Sequence, residues 1–130
     1  MSFRWPVRVY WEDTDAGGIV FYANYLKFFE RARTEWLRSL GIGQQALRER
    51  LGGMFVVSST ELRYLLPARL DDELTVTAEL KEPGRASMVI AQQAWRGAEL
   101  LCEGTIRIGW VDAATLRPAR IPNDILEVLR

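Results

Sequence analysis

The chain has 130 residues, 17 acidic and 17 basic side chains, one cysteine and no histidine. Lacking an imidazole, it can hold no Ser-His-Asp triad, Cys-His pair, HExxH zinc site or histidine base, and its single thiol, Cys102, can form neither an intrachain disulfide nor a cysteine metal or redox centre. A net charge of zero argues against nucleic acid as a partner, because neutralising phosphates takes a basic surplus.

In chain order, Pro6 to Trp11 alternate as a short strand, and Glu12 to Gly18 form a run of turn residues. Asn24 is placed as the N-cap of a long helix. At about 100° per residue, Tyr25, Leu26, Phe28, Phe29, Ala32, Trp36, Leu37 and Leu40 make one broad apolar face, with Lys27, Glu30, Arg31, Thr34, Glu35 and Arg38 opposite. Arg33 falls inside the apolar arc, so either its stem snorkels or its head meets a buried partner. Gly41 is a natural helix stop, and Gln44 to Leu51 make a second short helix before Gly52 and Gly53. From there the period changes to two. Phe55 to Leu66, ended by Pro67, Glu73 to Leu80, Met88 to Trp95 and Leu100 to Val111 are half-buried strands, and the segments between them carry turn chemistry. Short connections between consecutive strands imply a meander-like antiparallel sheet, joined by the first strand to give five. Asn123 to Leu129 form a terminal helix. One wide-faced helix against one antiparallel sheet is an α+β two-layer fold.

No linker, repeat or low-complexity stretch interrupts residues 1–130, so a single domain is expected. No segment approaches the run of about 18 apolar residues that spans a membrane, and residues 1–15 contain no stretch of signal-peptide type. The expectation is a cytoplasmic protein without a transmembrane segment. No metal or cofactor is called for.

The densest chemistry lies between the first strand and the long helix, where Glu12, Asp13 and Asp15 precede Gly17 and Gly18. An acid ahead of a helix is kept ionised by unpaired amide donors, and glycines let backbone N–H groups approach a ligand closely. Together they supply a base or nucleophile beside donors for an oxyanion, the two needs of acyl transfer. The alternative is that these residues only cap a turn. Cys102 alternates with apolar strand positions as a core residue does, and no base beyond carboxylate or amine exists to activate Ser58 or Ser59.

The run Asp13-Thr14-Asp15-Ala16-Gly17-Gly18-Ile19-Val20, followed by Asn24-Tyr25, resembles the signature of the 4-hydroxybenzoyl-CoA thioesterase family of hot dog fold proteins. Glu30 to Glu35, Pro67 to Asp72 and Arg4 to Tyr10 are similar to its Tol-Pal-associated, YbgC-type branch of acyl-CoA thioesterases. The resemblance implies a long helix wrapped by a five-stranded antiparallel sheet, subunits paired sheet edge to sheet edge as a homodimer or homotetramer, and active sites at the subunit interface. It implies Asp15 as the catalytic carboxylate, attacking the thioester carbonyl or activating water, with Gly17 and Gly18 beside it and backbone amides near Val57 and Ser58 polarising the carbonyl. The turn around Lys81 and Arg85 is similar to one that contacts the CoA nucleotide in relatives, and Arg63 is a further candidate for its phosphates.

The chain departs from the branch at two places. Tyr22 stands where many members have histidine, and Trp11 where some have tyrosine. Tyr22 keeps a hydrogen-bond donor but not a neutral-pH acid-base group. A hot dog dehydratase, whose comparable members use histidine, is thereby disfavoured. The resemblance leaves an acyl-CoA thioesterase as the leading expectation, and a non-catalytic acyl-thioester binder or scaffold, engaging acyl carrier protein or membrane-biogenesis partners, as the rival.

Overall fold

Alternating apolar and polar residues build five strands, β1 (Phe3–Arg8), β2 (Gly53–Tyr64), β3 (Glu73–Pro83), β4 (Ser87–Arg96) and β5 (Glu99–Asp112). In the computed structural model, which describes residues 2–129, they form one antiparallel sheet in the order β1-β3-β4-β5-β2. Helix α1 (Asn24–Ser39) lies across one face, chiefly over β3 and β1, α2 (Gln44–Leu51) packs beside β2, and α3 (Asn123–Leu129) follows the last strand.

Only β3, β4 and β5 form a meander; β2 lies beside β5 at the far edge, which corrects the sheet order expected from chain proximity. The segment 65–72 closes no hairpin. Leu65 and Leu66 both donate backbone N–H groups to the Leu101 carbonyl (2.8 and 3.1 Å), and Arg96 donates to the Pro67 carbonyl (3.2 Å), so the chain crosses the ends of β5 and β4 to reach β3. The first strand also runs earlier than its alternation implied. Its ladder ends at Arg8, because the Tyr10 N–H donates to the Asp13 carboxylate (2.8 Å) and turns Trp11–Asp13 into a short 3-10 helix. Likewise β2 ends at Tyr64 rather than Leu66.

The helix α1 buries Tyr25, Phe28, Phe29, Ala32, Trp36 and Leu37 against the sheet, while Leu26 and Leu40 stay largely exposed, so the apolar face is narrower than the sequence suggested. Truncating a fully buried phenylalanine such as Phe28 or Phe29 to alanine costs about 3–5 kcal/mol. The helix ends in a Schellman motif: Gly41 takes φ +85°, its N–H reaches the Arg38 carbonyl (3.0 Å), and the Ile42 N–H reaches Leu37 (2.9 Å) with Ile42 buried.

Arg33 does meet a buried partner. It donates to the side-chain oxygen of Gln92 (2.9 Å), whose amide nitrogen donates to the carbonyls of Phe29 (3.0 Å) and Thr77 (3.1 Å), tying helix to sheet through a fully buried hub. Burial also holds the Arg33 guanidinium below its usual pKa.

One part of the inner sheet face has no cover. β2 residues paired with the buried β5 positions share their face, yet Val57 and Tyr64 are about half exposed and Thr60 is exposed, because α1 sits over the other half of the sheet. Ser58 has no partner on β5; the register slips there between Val57 and Ser59 as a β-bulge.

Candidate active site

The loop between β1 and α1 is fixed by backbone bonds on two sides. Thr14 bridges Val20, and the Asp15 N–H donates to the Ile19 carbonyl (2.8 Å), closing a small hairpin. That hairpin rests on segment 67–72, since Val20 donates to Ala68 (2.9 Å), Ile19 bridges Arg69 and Leu70 donates to Gly18 (3.4 Å). The segment is clamped in turn. The Asp72 carboxylate accepts from the Arg69 N–H and from Arg96, both at 2.8 Å. Burial alone would raise the Asp72 pKa, but the Arg96 guanidinium and the Arg69 N–H outweigh it and hold the group below the usual aspartate value. From the core side, the buried Tyr25 hydroxyl accepts the Ala68 N–H (3.3 Å), and burial raises its pKa.

The two aspartates of the loop are used differently. Asp13 is buried: its carboxylate accepts from Tyr10, and its carbonyl accepts from the Phe21 N–H (3.0 Å) and the Asn24 side-chain amide (2.8 Å). Asn24 is therefore the first helical residue and a tether to the loop, not the expected N-cap. Asp15 is exposed, and one of its carboxylate oxygens accepts the Gly17 N–H (2.8 Å). A Cβ at Gly17 would lie 3.2 Å from that oxygen, while Gly18 needs its φ of +79°. The Gly18 N–H is taken by the Asp15 carbonyl (3.0 Å). Both glycine amides thus hold Asp15 rather than standing free for an oxyanion, as the residue pattern had suggested. The positive end of α1 is not the donor at this carboxylate either, because the helix starts only at Asn24.

Asp15 opens onto a shallow depression lined by Trp11, Glu12, Thr14, Ala16, Gly18 and Leu70. At the same end of the sheet, Tyr10, Trp11, Phe21, Tyr22, Tyr64, Leu65 and Leu66 leave large apolar surfaces in water. Tyr22 is 63% exposed; its carbonyl accepts the Tyr64 hydroxyl (3.1 Å), and the two rings meet edge to face. Among the described residues, the N–H groups of Tyr22 and Ala23 donate to no backbone carbonyl.

The remaining sequence candidates do not join Asp15 within one chain. Its loop sits at the sheet end where β1 stops, β3 starts and β2 ends. Arg85 lies in the turn after β3, at the other end. The 11 residues of β3, at about 3.3 Å each, separate the two ends by roughly 33 Å. Val57 and Ser58 lie midway along the free edge of β2, and the Ser58 hydroxyl donates to the Arg107 carbonyl (3.3 Å). Lys81 pairs with Glu79 (3.3 Å) and shares with Arg63 a depression on the outer sheet face that also holds Glu61, Glu79 and Glu103, so acids interleave those two cations. Arg85 has a different neighbourhood: its carbonyl accepts the Ile121 N–H (2.7 Å), next to exposed Arg120. Sequence reasoning missed Arg120, Asp72, Arg96 and Tyr64; only the acid pair at 71–72 in the resembling segment hinted at the clamp. Among the described residues no cluster suited to a metal ion is present, and no helix is long and apolar enough to cross a membrane.

A long helix laid across a five-stranded antiparallel sheet of this strand order, with an acidic loop at the helix entry, is the hot dog architecture of thioester hydrolases. The chain belongs to the Thioesterase-like superfamily, whose family model matches residues 9–129. It is similar to an acyl-CoA thioesterase YbgC from Haemophilus influenzae, 43% identical over 124 residues that cover 95% of this chain and 91% of that one. An acyl-CoA thioesterase YbgC from Helicobacter pylori is 34% identical, with 94% and 96% covered. The crystal structure of a probable thioesterase from Bartonella henselae matches with a TM-score of 0.90 at 30% identity, over 94% of this chain and 100% of that one.

Proposed function

We propose that the protein hydrolyses the thioester of an acyl-CoA to a free carboxylic acid and CoA, with Asp15 as general base or nucleophile. The observation that carries this reading is the division of labour in the loop: Asp13 is spent on structure, whereas Asp15 is exposed, oriented by one amide and open to a depression. Glu12 shares that depression, but among the described residues no hydrogen-bond partner orients its carboxylate.

As base, Asp15 takes a proton from water whose oxygen adds to the carbonyl carbon; the tetrahedral intermediate collapses with cleavage of C–S, and the proton passes to the departing sulfur. As nucleophile, its free oxygen adds to the carbonyl, thiolate leaves, and water hydrolyses the mixed anhydride. Either route needs no imidazole, since a thiolate leaves readily unprotonated. Oxyanion donors are available in the unpaired amides of Tyr22 and Ala23 at the entry to α1, and at Val57 and Ser58 of a second copy.

That second copy follows from the sheet. β1 protects its edge with Pro6 and flanking Arg4 and Arg8, whereas β2 offers a long edge and an uncovered inner face. Antiparallel pairing of two β2 strands around a two-fold axis sets the far end of one subunit beside the Asp15 end of the other. The partner's Arg85, with the partner's Arg120, then becomes the candidate for CoA phosphates, in a homodimer or in a homotetramer built as a dimer of dimers. Acyl carrier protein presents the same pantetheine thioester and is a second possible donor, and a cytoplasmic location fits both.

The test is release of free thiol from short, long and aromatic acyl-CoAs. Asp15→Asn is expected to keep fold and oligomer and to lose at least about 100-fold in turnover. Near wild-type turnover in that variant overturns the assignment. Tight acyl-CoA binding by wild type without thiol release makes the protein an acyl-thioester binder instead.

A further inference from the structure

We propose that Trp11 is a specificity residue whose indole forms the wall against which a neutral, apolar acyl group lies; this rests on the reading that Asp15 acts on the thioester beside it. At 81% exposure, Trp11 leaves more of its surface in water than any other large apolar side chain of the described residues. The backbone that carries it is nonetheless fixed. Trp11 opens the 3-10 turn, its carbonyl accepts both the N–H (3.2 Å) and the hydroxyl (2.9 Å) of Thr14, and the turn is locked by Asp13 on the Tyr10 N–H (2.8 Å). A large ring carried on a fixed stretch of backbone and left uncovered is the form of an apolar binding wall.

Two depressions meet at this ring. One holds Asp15, with Thr14, Ala16 and Gly18; the other holds Tyr10 and Asp71; Trp11, Glu12 and Leu70 border both. A thioester whose carbonyl carbon sits at Asp15 therefore has Trp11 and Leu70 within reach of one of its two arms.

Polarity and charge together decide which arm. Glu12, Asp15 and Asp71 line these depressions, and among the described residues no lysine or arginine does, the nearest being Arg8, whose guanidinium donates to the Asp71 carbonyl (2.7 Å). The CoA arm begins as polar, amide-bearing pantetheine and must run on to cations for its phosphates, and the candidates for those, the partner's Arg85 and the partner's Arg120, belong to the second copy and not to these depressions. The acyl arm carries no obligatory charge. It is thus the occupant, and the same acids select against acyl groups ending in a carboxylate. A flat indole beside a leucine suits an aromatic ring or a short aliphatic chain.

The experiment compares kcat/KM for acetyl-, hexanoyl-, benzoyl- and succinyl-CoA in wild type, Trp11→Ala and Trp11→Phe. Wild type is expected to prefer benzoyl- and hexanoyl-CoA over succinyl-CoA. Trp11→Ala should lower the benzoyl-to-acetyl ratio about tenfold, mainly through KM, and Trp11→Phe should restore most of it. An unchanged ratio with Asp15→Asn still inactive overturns this inference and leaves the thioesterase reading standing. So does a Trp11→Ala variant that changes oligomeric state by light scattering, since a second copy would then be what covers the ring. Should wild type hydrolyse no acyl-CoA, binding of S-benzyl-CoA, a non-hydrolysable thioether, still decides. Quenching of tryptophan fluorescence in wild type that is absent in Trp11→Phe supports the placement, and equal quenching in both refutes it.

Discussion

Replacing Asp72 by alanine should loosen the Asp15 loop without touching Asp15. The carboxylate accepts from the Arg69 N–H and from Arg96, both at 2.8 Å, and Arg96 also reaches Glu99 and the Pro67 carbonyl. Hydrogen bonds to a charged group are worth about 1.5–3 kcal/mol when well buried. Here the Arg96 and Asp72 side chains are 28% and 23% exposed, so screening brings the pair of bonds down to about 2 kcal/mol in total. For a chain of this length that is a fall in Tm of roughly 6–10 °C by calorimetry. Asp72→Asn keeps an acceptor for Arg69 but loses the charge, and should cost about half as much. Because the folded pKa of Asp72 lies below the unfolded one, its contribution is fully present above about pH 4 and is lost as the pH falls through the folded value. The stability gap between wild type and Asp72→Asn should therefore close only in strong acid. A double-mutant cycle of Asp72→Ala with Arg96→Ala should show coupling of about 1 kcal/mol. On the thioesterase reading, kcat should fall about tenfold at little cost in KM, as the Asp15 loop loses its footing. Additive stabilities, or a gap that persists unchanged to low pH, would refute the clamp.

Four further outcomes are expected. Gly18→Ala, which has open space but φ +79°, should cost about 1–2 kcal/mol by strain alone, and Gly43→Ala, with space and an ordinary backbone, should be neutral in chemical denaturation. Gly104→Ala meets the Glu61 carbonyl across the β2–β5 ladder, so it should destabilise by about 1–3 kcal/mol or more; equal effects for all three glycines would contradict these backbone assignments. Cys102 is fully buried, and burial pushes its thiol up to about 12. The folded protein should leave DTNB unreacted at neutral pH and release one equivalent only on unfolding, so early reaction would show that β5 opens locally.

Much of the fold was legible because burial repeats with the period of the element. Helix α2 and the terminal helix fall where the pattern put them, and β3, β4 and β5 differ from it only at their ends. The place of β2 was not legible, since alternation says which face a residue takes but not which strand lies next to it; that was decided by Leu101 and Arg96 capturing the crossing segment. Tyr10 and Trp11 continued the alternation of β1 and were read as strand, yet one side-chain bond from Asp13 turned the chain away. In the loop, sequence separated Asp15 from Asp13 only through the resemblance, and burial separates them physically. The phosphate candidates Lys81 and Arg85 rest on a turn similar to one in relatives, with Arg63 added, while the sheet disperses the three over a face and a far turn.

The hairpin around Asp15 is held almost wholly by main-chain partners, from Thr14 and Val20 to Ala68, Arg69 and Leu70. Amide and carbonyl groups are the same whatever side chain they carry. Substitutions at exposed Ala16, Phe21 or Tyr22 can therefore accumulate without moving the carboxylate, and so can changes at Trp11, whose carbonyl is its only structural commitment to the turn. An enzyme wired in this way separates what it does from what it does it to. On the thioesterase reading, new acyl specificities are reachable by single steps through active intermediates, whereas changes at Gly18 or Asp13 disturb the loop that holds the carboxylate itself.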